Sequence, residues 1–406
     1  MFKLYYANQG KIILIAVILA FVLGITAPNL FKHVNFISET FINLLKLCAL
    51  PIVITSLVVT IGQLPRNGQI KLIARNSILY ILASEIIAIS IALIIFNTIN
   101  ISSNINPHTL LKGAFYNGSS NTSINPNQIF NYIFTENIFS SLVKFDTLPI
   151  VIFSIMLGLT CNFNQTHAKP LLELFASIRY IFLKLLNAIM ILAPLAIFAL
   201  IGLNVADSYQ SGALITNVYG LLKFVGLFLG ALGIHFLWQL LLVLFLYRHL
   251  KFKQVIIEAL PIFVTAFISS SSLATLPIAL EKAKKLGANK KIVEFMLPIC
   301  ASMNFASGMM YEMAATLFFL QILGIHLDLM HQIFLALACI FTGIAVGGIP
   351  ETSMVSFVTI FNMANIPLSA ISILLPLDRI LDRIRTMVNI FGNTCGTLTV
   401  SKTKIE

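Results

Sequence analysis

The sequence predicts an all-α polytopic membrane protein, and three observations carry that prediction. Apolar residues make up 58% of the 406-residue chain and charged residues only 10%, well below the roughly 25% charged share of soluble domains. Long apolar segments recur from end to end, several of them long enough to cross a hydrocarbon core of about 30 Å with some tilt. Most of the remaining charges fall between these segments or in one stripe near the C-terminus. A single integral bundle without a soluble domain is expected.

In chain order the apolar segments lie at 12–30, 40–62, 76–97, 147–162, 176–203, 214–247, 295–322, 332–346 and 366–400. Residues 98–138 are rich in Asn and Ser and read as a solvent-exposed connection. Lys3, Lys11, Arg66, Lys71, Arg75, Lys169, Arg248, Lys251, Lys253, the cluster from Lys282 to Lys291, Lys402 and Lys404 can all share one side, whereas 204–215 and 323–331 carry no Lys or Arg. That asymmetry predicts cytoplasmic termini on both ends. The first span is expected to stay uncleaved. The net charge of +11 is thus a topology signal, and no nucleic-acid partner is expected.

Cys48, Cys161, Cys300, Cys339 and Cys395 stand singly in apolar runs without ligand-like spacing, as small buried hydrophobes do. The histidines are scattered near span ends, with His235 the one expected to be buried. No nucleophile, base and acid converge, and no phosphate-binding loop is present. The chain is not expected to be an enzyme or to carry a cofactor.

The pattern changes after residue 253. Residues 254–286 hold SSSSLATLP, Ser269 to Pro277, between two short apolar arms, and residues 331–368 hold GGIPETS, Gly347 to Ser353, between two more. Short arms joined by Ser, Gly and Pro read as re-entrant hairpins, because non-helical backbone at membrane depth survives only when buried in protein or lining a cavity. A further break, MNFASG from Met303 to Gly308, divides the helix at 290–322. Hairpin, broken helix, hairpin and last helix at 370–400 form a repeat, and paired interruptions of this kind point to a transport site near the midplane.

The last helix carries DRILDRIRTMVNIFGN, Asp378 to Asn393. At about 100° per residue, Asp378, Asp382, Arg385, Asn389 and Asn393 cover roughly 80° of one face, with Thr386 at its edge. A charge at the centre of a bilayer costs about 2.5–3.5 kcal/mol even on the gentler scale, so the stripe should face a binding site for something small and charged. The i,i+3 spacing also permits an internal Asp382–Arg385 ion pair.

These four motifs, in this order, resemble the dicarboxylate/amino acid:cation symporters, the family that includes glutamate transporters. SSSSLATLP resembles the first hairpin tip, MNFASGMMYE the broken helix, GGIPETS the second tip, and LDRILDRIRTMVNIFGN the last helix with its Arg-Thr-x-x-Asn core. The resemblance implies a glutamate-transporter-like fold with about eight transmembrane helices and two re-entrant hairpins in inverted repeats. It implies a homotrimer in a bacterial inner membrane that works as an elevator. It implies that residues 254–406 form the transport-domain core and residues 1–253 mainly a scaffold and trimerisation region, with the third span contributing to the core. It also implies site roles: Asp382 for a substrate ammonium, Arg385 for an acidic side chain, Thr386 and Asn389 for the remaining polar groups, and Ser271, Ser272, Ile349 and Ser353 for the alpha-carboxylate.

Departures from the family pattern bear on coupling. Ala306 and Asn393 stand where better-known members have sodium-binding aspartates, and Gly308 replaces a threonine. Losing carboxylates removes charge that offsets an ion's desolvation, so three-sodium coupling is not expected. Coupling to protons and/or few sodium ions is. No complete sodium site is evident. Glu312, after Tyr311, stands where animal glutamate transporters carry a protonatable acid, and Glu85, Asn304 and Asn393 are further coupling candidates. The favoured cargo is glutamate or aspartate; a C4-dicarboxylate or neutral amino acid is the alternative within the family, and an uncoupled anion channel or a transport-incompetent sensor lies beyond it. Glu351 at the second tip weighs against an acidic side chain. Arg379 and Arg383 read as partners for carboxylates or lipid phosphates.

Overall fold

The computed structural model describes residues 2–63, 68–101, 135–144, 147–346 and 353–402, and these fold almost wholly into helices. The first part supplies α1 (Phe2–Thr26), α2 (Pro28–Gly62), α3 (Gly68–Thr98), the short α4 (Ile138–Lys144), α5 (Thr147–Phe163), α6 (Gln165–Ile189), α7 (Ala193–Gln210) and α8 (Leu214–Leu246). A 3-10 turn, Met190–Leu192, joins α6 to α7. Six helical segments among the described residues are long and apolar enough to cross a membrane, including Pro28–Gly62, Leu72–Thr98 and Leu214–Leu246.

Two arms, α9 (Phe252–Ser269) and α10 (Ser272–Lys285), form the first hairpin. Its turn is local chemistry: Ser270 adopts φ 50°, and Ser271 caps α10 by accepting a hydrogen bond from the Ala274 N–H at 3.3 Å. The expected broken helix is α11 (Lys290–Met303) followed by α12 (Ala306–Ile322), with Asn304 in extended backbone between them. The second hairpin's arms are α13 (Leu329–Val346) and α14 (Ser353–Met363), and α15 (Ala370–Lys402) ends the fold. Gly347 to Thr352, with Ile349 and Glu351, lies outside the described residues, as do Arg66 and most of the 98–138 connection.

Packing sorts these helices into two groups. Helices α1, α2, α5, α6 and α7 pack on one another, while α3 and α8 join α9 to α12 around α15. Helix α2 reaches across to α13 and α14. Helix α12 is enclosed on every side, with every residue from Ala306 to Leu320 buried, whereas α9 leaves Ile257, Leu260, Val264 and Ile268 at least half exposed on its outer face. Beyond the first turn, where Lys253 and Gln254 are exposed, that outer face is apolar, as a lipid-facing arm requires. At one end of α12 the Gln321 side chain accepts from the Ile101 N–H at 3.0 Å and donates to the Phe96 carbonyl, locking α3 against it. Tyr80 on α3 in turn donates to the Gly392 carbonyl of α15 at 2.8 Å.

Candidate functional site

Arg385 is the centre of the polar stripe and one of the largest side chains to be fully enclosed. Its guanidinium donates to Asp378 and, at 3.2 Å, to Asp382. A third bond, at 3.0 Å, reaches the Ser353 hydroxyl at the start of α14. The Tyr311 ring lies under it, 4.2 Å from the guanidinium carbon, close enough for a cation–π contact in a desolvated place. The Nε–H of Arg385 and the Tyr311 hydroxyl have no hydrogen-bonding partner among the described residues. The internal Asp382–Arg385 pair is therefore present, and Asp378 shares it.

One turn further along α15, Asn389 accepts from the Ser307 N–H at 2.9 Å, and a turn beyond it Asn393 accepts from the Asn304 side-chain amide at 2.8 Å. Both contacts fall on the break between α11 and α12. Interrupting that helix exposes backbone groups that an intact helix would satisfy. Asn389 answers the Ser307 N–H directly, whereas Asn393 holds the side chain of Asn304, whose oxygen accepts from the Ala306 N–H at 3.4 Å. Thr386 bonds back to the Asp382 carbonyl at 2.8 Å. Helices α10, α12 and α14 all begin in this region of the fold, at Ser272, Ala306 and Ser353, and a helix N-terminus favours an anion.

The first hairpin is tied to the same helix. Arg383 donates to the Phe267 carbonyl at 2.8 Å and the Ile268 carbonyl at 3.4 Å, so among the described residues its partner is the C-terminal turn of α9 and not the carboxylate that the sequence offered as one alternative. That contact brings the Ser271 and Ser272 tip onto α15, with Ser272 buried. Glu312 is fully buried on α12, and neither carboxyl oxygen has a hydrogen bond among the described residues. Ser356 and Thr342 lie beside it. Glu85, on α3, is buried and unbonded in the same way. A separate cavity of about 280 Å³, lined by Asn97, Gln321, His326 and Gln332, opens about 15 Å along α12 from Tyr311.

Sequence reasoning placed Arg385, Asp382, Asn389 and Ser353 among the site residues; Arg385 is joined directly to Asp382 and Ser353, whereas Asn389 bonds to the Ser307 N–H. It included Asp378 in the stripe without assigning it a partner, although i,i+7 spacing on one helix face was a usable signal. The Tyr311 stack had no such signal. The Gly308 departure has a steric reason: a Cβ there would overlap the buried Phe305 ring. Gly308→Thr is expected to lower stability by about 1–3 kcal/mol, read as the thermal midpoint in detergent, and Phe305→Ala in the same chain should restore part of the loss.

The chain belongs to the sodium:dicarboxylate symporter family, whose sequence pattern matches residues 10–403. A proton/sodium-glutamate symport protein of Bacillus subtilis is 29% identical over 399 residues, covering 96% of this chain and 91% of its own length. A proton/glutamate-aspartate symporter of Escherichia coli is 29% identical over 382 residues, covering 91% and 85%. A C4-dicarboxylate transport protein of Bacillus subtilis is 24% identical over 409 residues, covering 99% and 94%. The family is one of membrane transport proteins and not of enzymes.

Proposed function

We propose that this protein is a symporter that carries an acidic amino acid, glutamate or aspartate, across a bacterial inner membrane, coupled to protons and/or few sodium ions. The observation that carries the reading is the buried Arg385 fork, laid on Tyr311 between Asp378 and Asp382. One guanidinium against two carboxylates leaves the stripe one charge negative. A substrate ammonium at Asp382 corrects that imbalance, and the freed guanidinium N–H groups can then take a carboxylate. Relatives named for glutamate and aspartate symport support this reading.

Thr386 and Asn389 complete the polar wall. The two hairpin tips, through Ser271, Ser272, Ile349 and Ser353, receive the alpha-carboxylate. Glu312 carries a proton, since a buried acid without partners is expensive to keep charged. Asn304 and Asn393 hold the helix break in register while ions load. The protein works as a homotrimer with both termini in the cytoplasm, and the group built on α9 to α15 with α3 moves against the rest.

A C4-dicarboxylate is the second reading, favoured by Asn393 and by the dicarboxylate relative. It leaves Asp382 facing a substrate without a cation. Uptake of labelled glutamate, aspartate and succinate into proteoliposomes, with proton and sodium gradients imposed separately, tests both. Concentrative uptake of glutamate or aspartate under a proton gradient is the expected result. Succinate uptake alone would establish the second reading, and no accumulation with either gradient would favour an uncoupled channel or a sensor.

A further inference from the structure

Glu85 lies about midway along α3, a helix that packs on α12, α8, α11 and α15. Its side chain is completely buried. The backbone N–H of Phe305, at the break between α11 and α12, faces its carboxyl without closing a hydrogen bond. Of the titratable side chains on the surrounding helices, Cys300 on α11 faces it, and no Lys, Arg or His among the described residues does. The hydroxyls of Ser84 and Ser307 also lack partners among the described residues. An acid enclosed this way in a membrane bundle marks an ion or proton pathway unless a partner satisfies it.

The break gives Glu85 a connection to the stripe. Phe305, which faces it, is two residues from Ser307, whose N–H donates to Asn389 at 2.9 Å, and Asn389 lies one turn from Arg385 on the same face of α15. A ligand that pulls on Asn389 shifts the start of α12, and with it the N–H dipole aimed at Glu85.

We infer that Glu85 is a second proton-binding acid, separate from Glu312, whose loading is linked through the helix break to occupancy of the polar stripe. The step is the formation of one O–H bond on a carboxylate oxygen with a proton from water on one side, and its breakage to water on the other. No redox partner is required. Its consequence for transport rests on the symport reading above; proton binding itself does not.

Two measurements test it. Purified full-length protein without substrate is taken between acidic and alkaline buffer and followed by infrared difference spectroscopy. The carbonyl stretch of a protonated carboxyl should lose one component in Glu85→Gln and keep it in Glu312→Gln. An unchanged band in Glu85→Gln, or one lost equally in Glu312→Gln, overturns the inference even if the protein transports nothing. In sodium-free proteoliposomes with the membrane potential clamped, each coupled proton is worth about tenfold in accumulation per pH unit. Wild type should reach about 100-fold and Glu85→Gln about 10-fold, with aspartate substitution at Glu85 restoring the steeper dependence. Equal accumulation by wild type and Glu85→Gln would rule out the coupling role.

Discussion

Arg385→Cys is expected to reduce uptake of glutamate and aspartate by at least about 100-fold, equivalent to about 2.7 kcal/mol of lost recognition, and to leave or create uptake of a neutral amino acid. The cysteine removes the cation that Asp378 and Asp382 share. It also removes the fork that would hold a side-chain carboxylate, while Asp382 keeps its claim on an ammonium. Stripping one partner from a buried ion pair costs about 3–5 kcal/mol, so the variant's folding must be read separately, by monodispersity and thermal midpoint in detergent. Arg385→Lys settles the ambiguity, because it keeps the charge but loses the planar fork and the flat stack on Tyr311. Its acidic uptake should fall by about 10-fold or more in a protein that still folds. Unchanged glutamate and aspartate uptake in Arg385→Lys and Arg385→Cys alike would remove the assigned role.

What the sequence made legible here was periodic or punctuated. Five polar residues at helical spacing betrayed the stripe on α15 because an apolar background makes a polar face conspicuous. Ser269 to Ser272 and Met303 to Gly308 marked interruptions because helices inside a membrane are seldom broken without cause. Contacts made between helices left no such trace. Nothing in the spacing of Ser307 and Asn389, 82 residues apart, says that one donates to the other. The same holds for Tyr80 and Gly392, and for the carbonyls of α9 that receive Arg383. A charge partner on the same helix, Asp382 for Arg385, was legible from spacing, whereas Arg383 meets carbonyls on another helix: an arginine can end a helix as readily as it can meet a carboxylate. Local chemistry locates a site, whereas its partners are chosen by the packing of helices distant in the chain.

Glu312→Gln is expected to remove about tenfold of accumulation per unit of pH gradient while leaving substrate binding at neutral pH nearly unchanged. The size follows from linkage: one proton moved across a gradient of one pH unit is worth about 1.4 kcal/mol. The location follows from α12, which places Glu312 in the turn next to Tyr311, the residue stacked on Arg385. Two aspartates already surround that arginine, so an ionised Glu312 would add a third negative charge to an enclosed site with a single guanidinium. Bringing in an acidic substrate would add another. A proton on Glu312 relieves that repulsion at the moment of loading, and its release on the other side lets the substrate leave. The sign is therefore fixed: wild-type uptake should rise as the outside is acidified, and the glutamine variant, permanently neutral and nearly isosteric, should show a flatter profile over the same range. Exchange of internal for external labelled substrate at equal pH, which needs no net proton movement, should survive the substitution. Loss of exchange together with net uptake would mean that Glu312 holds the site together and does not carry its proton.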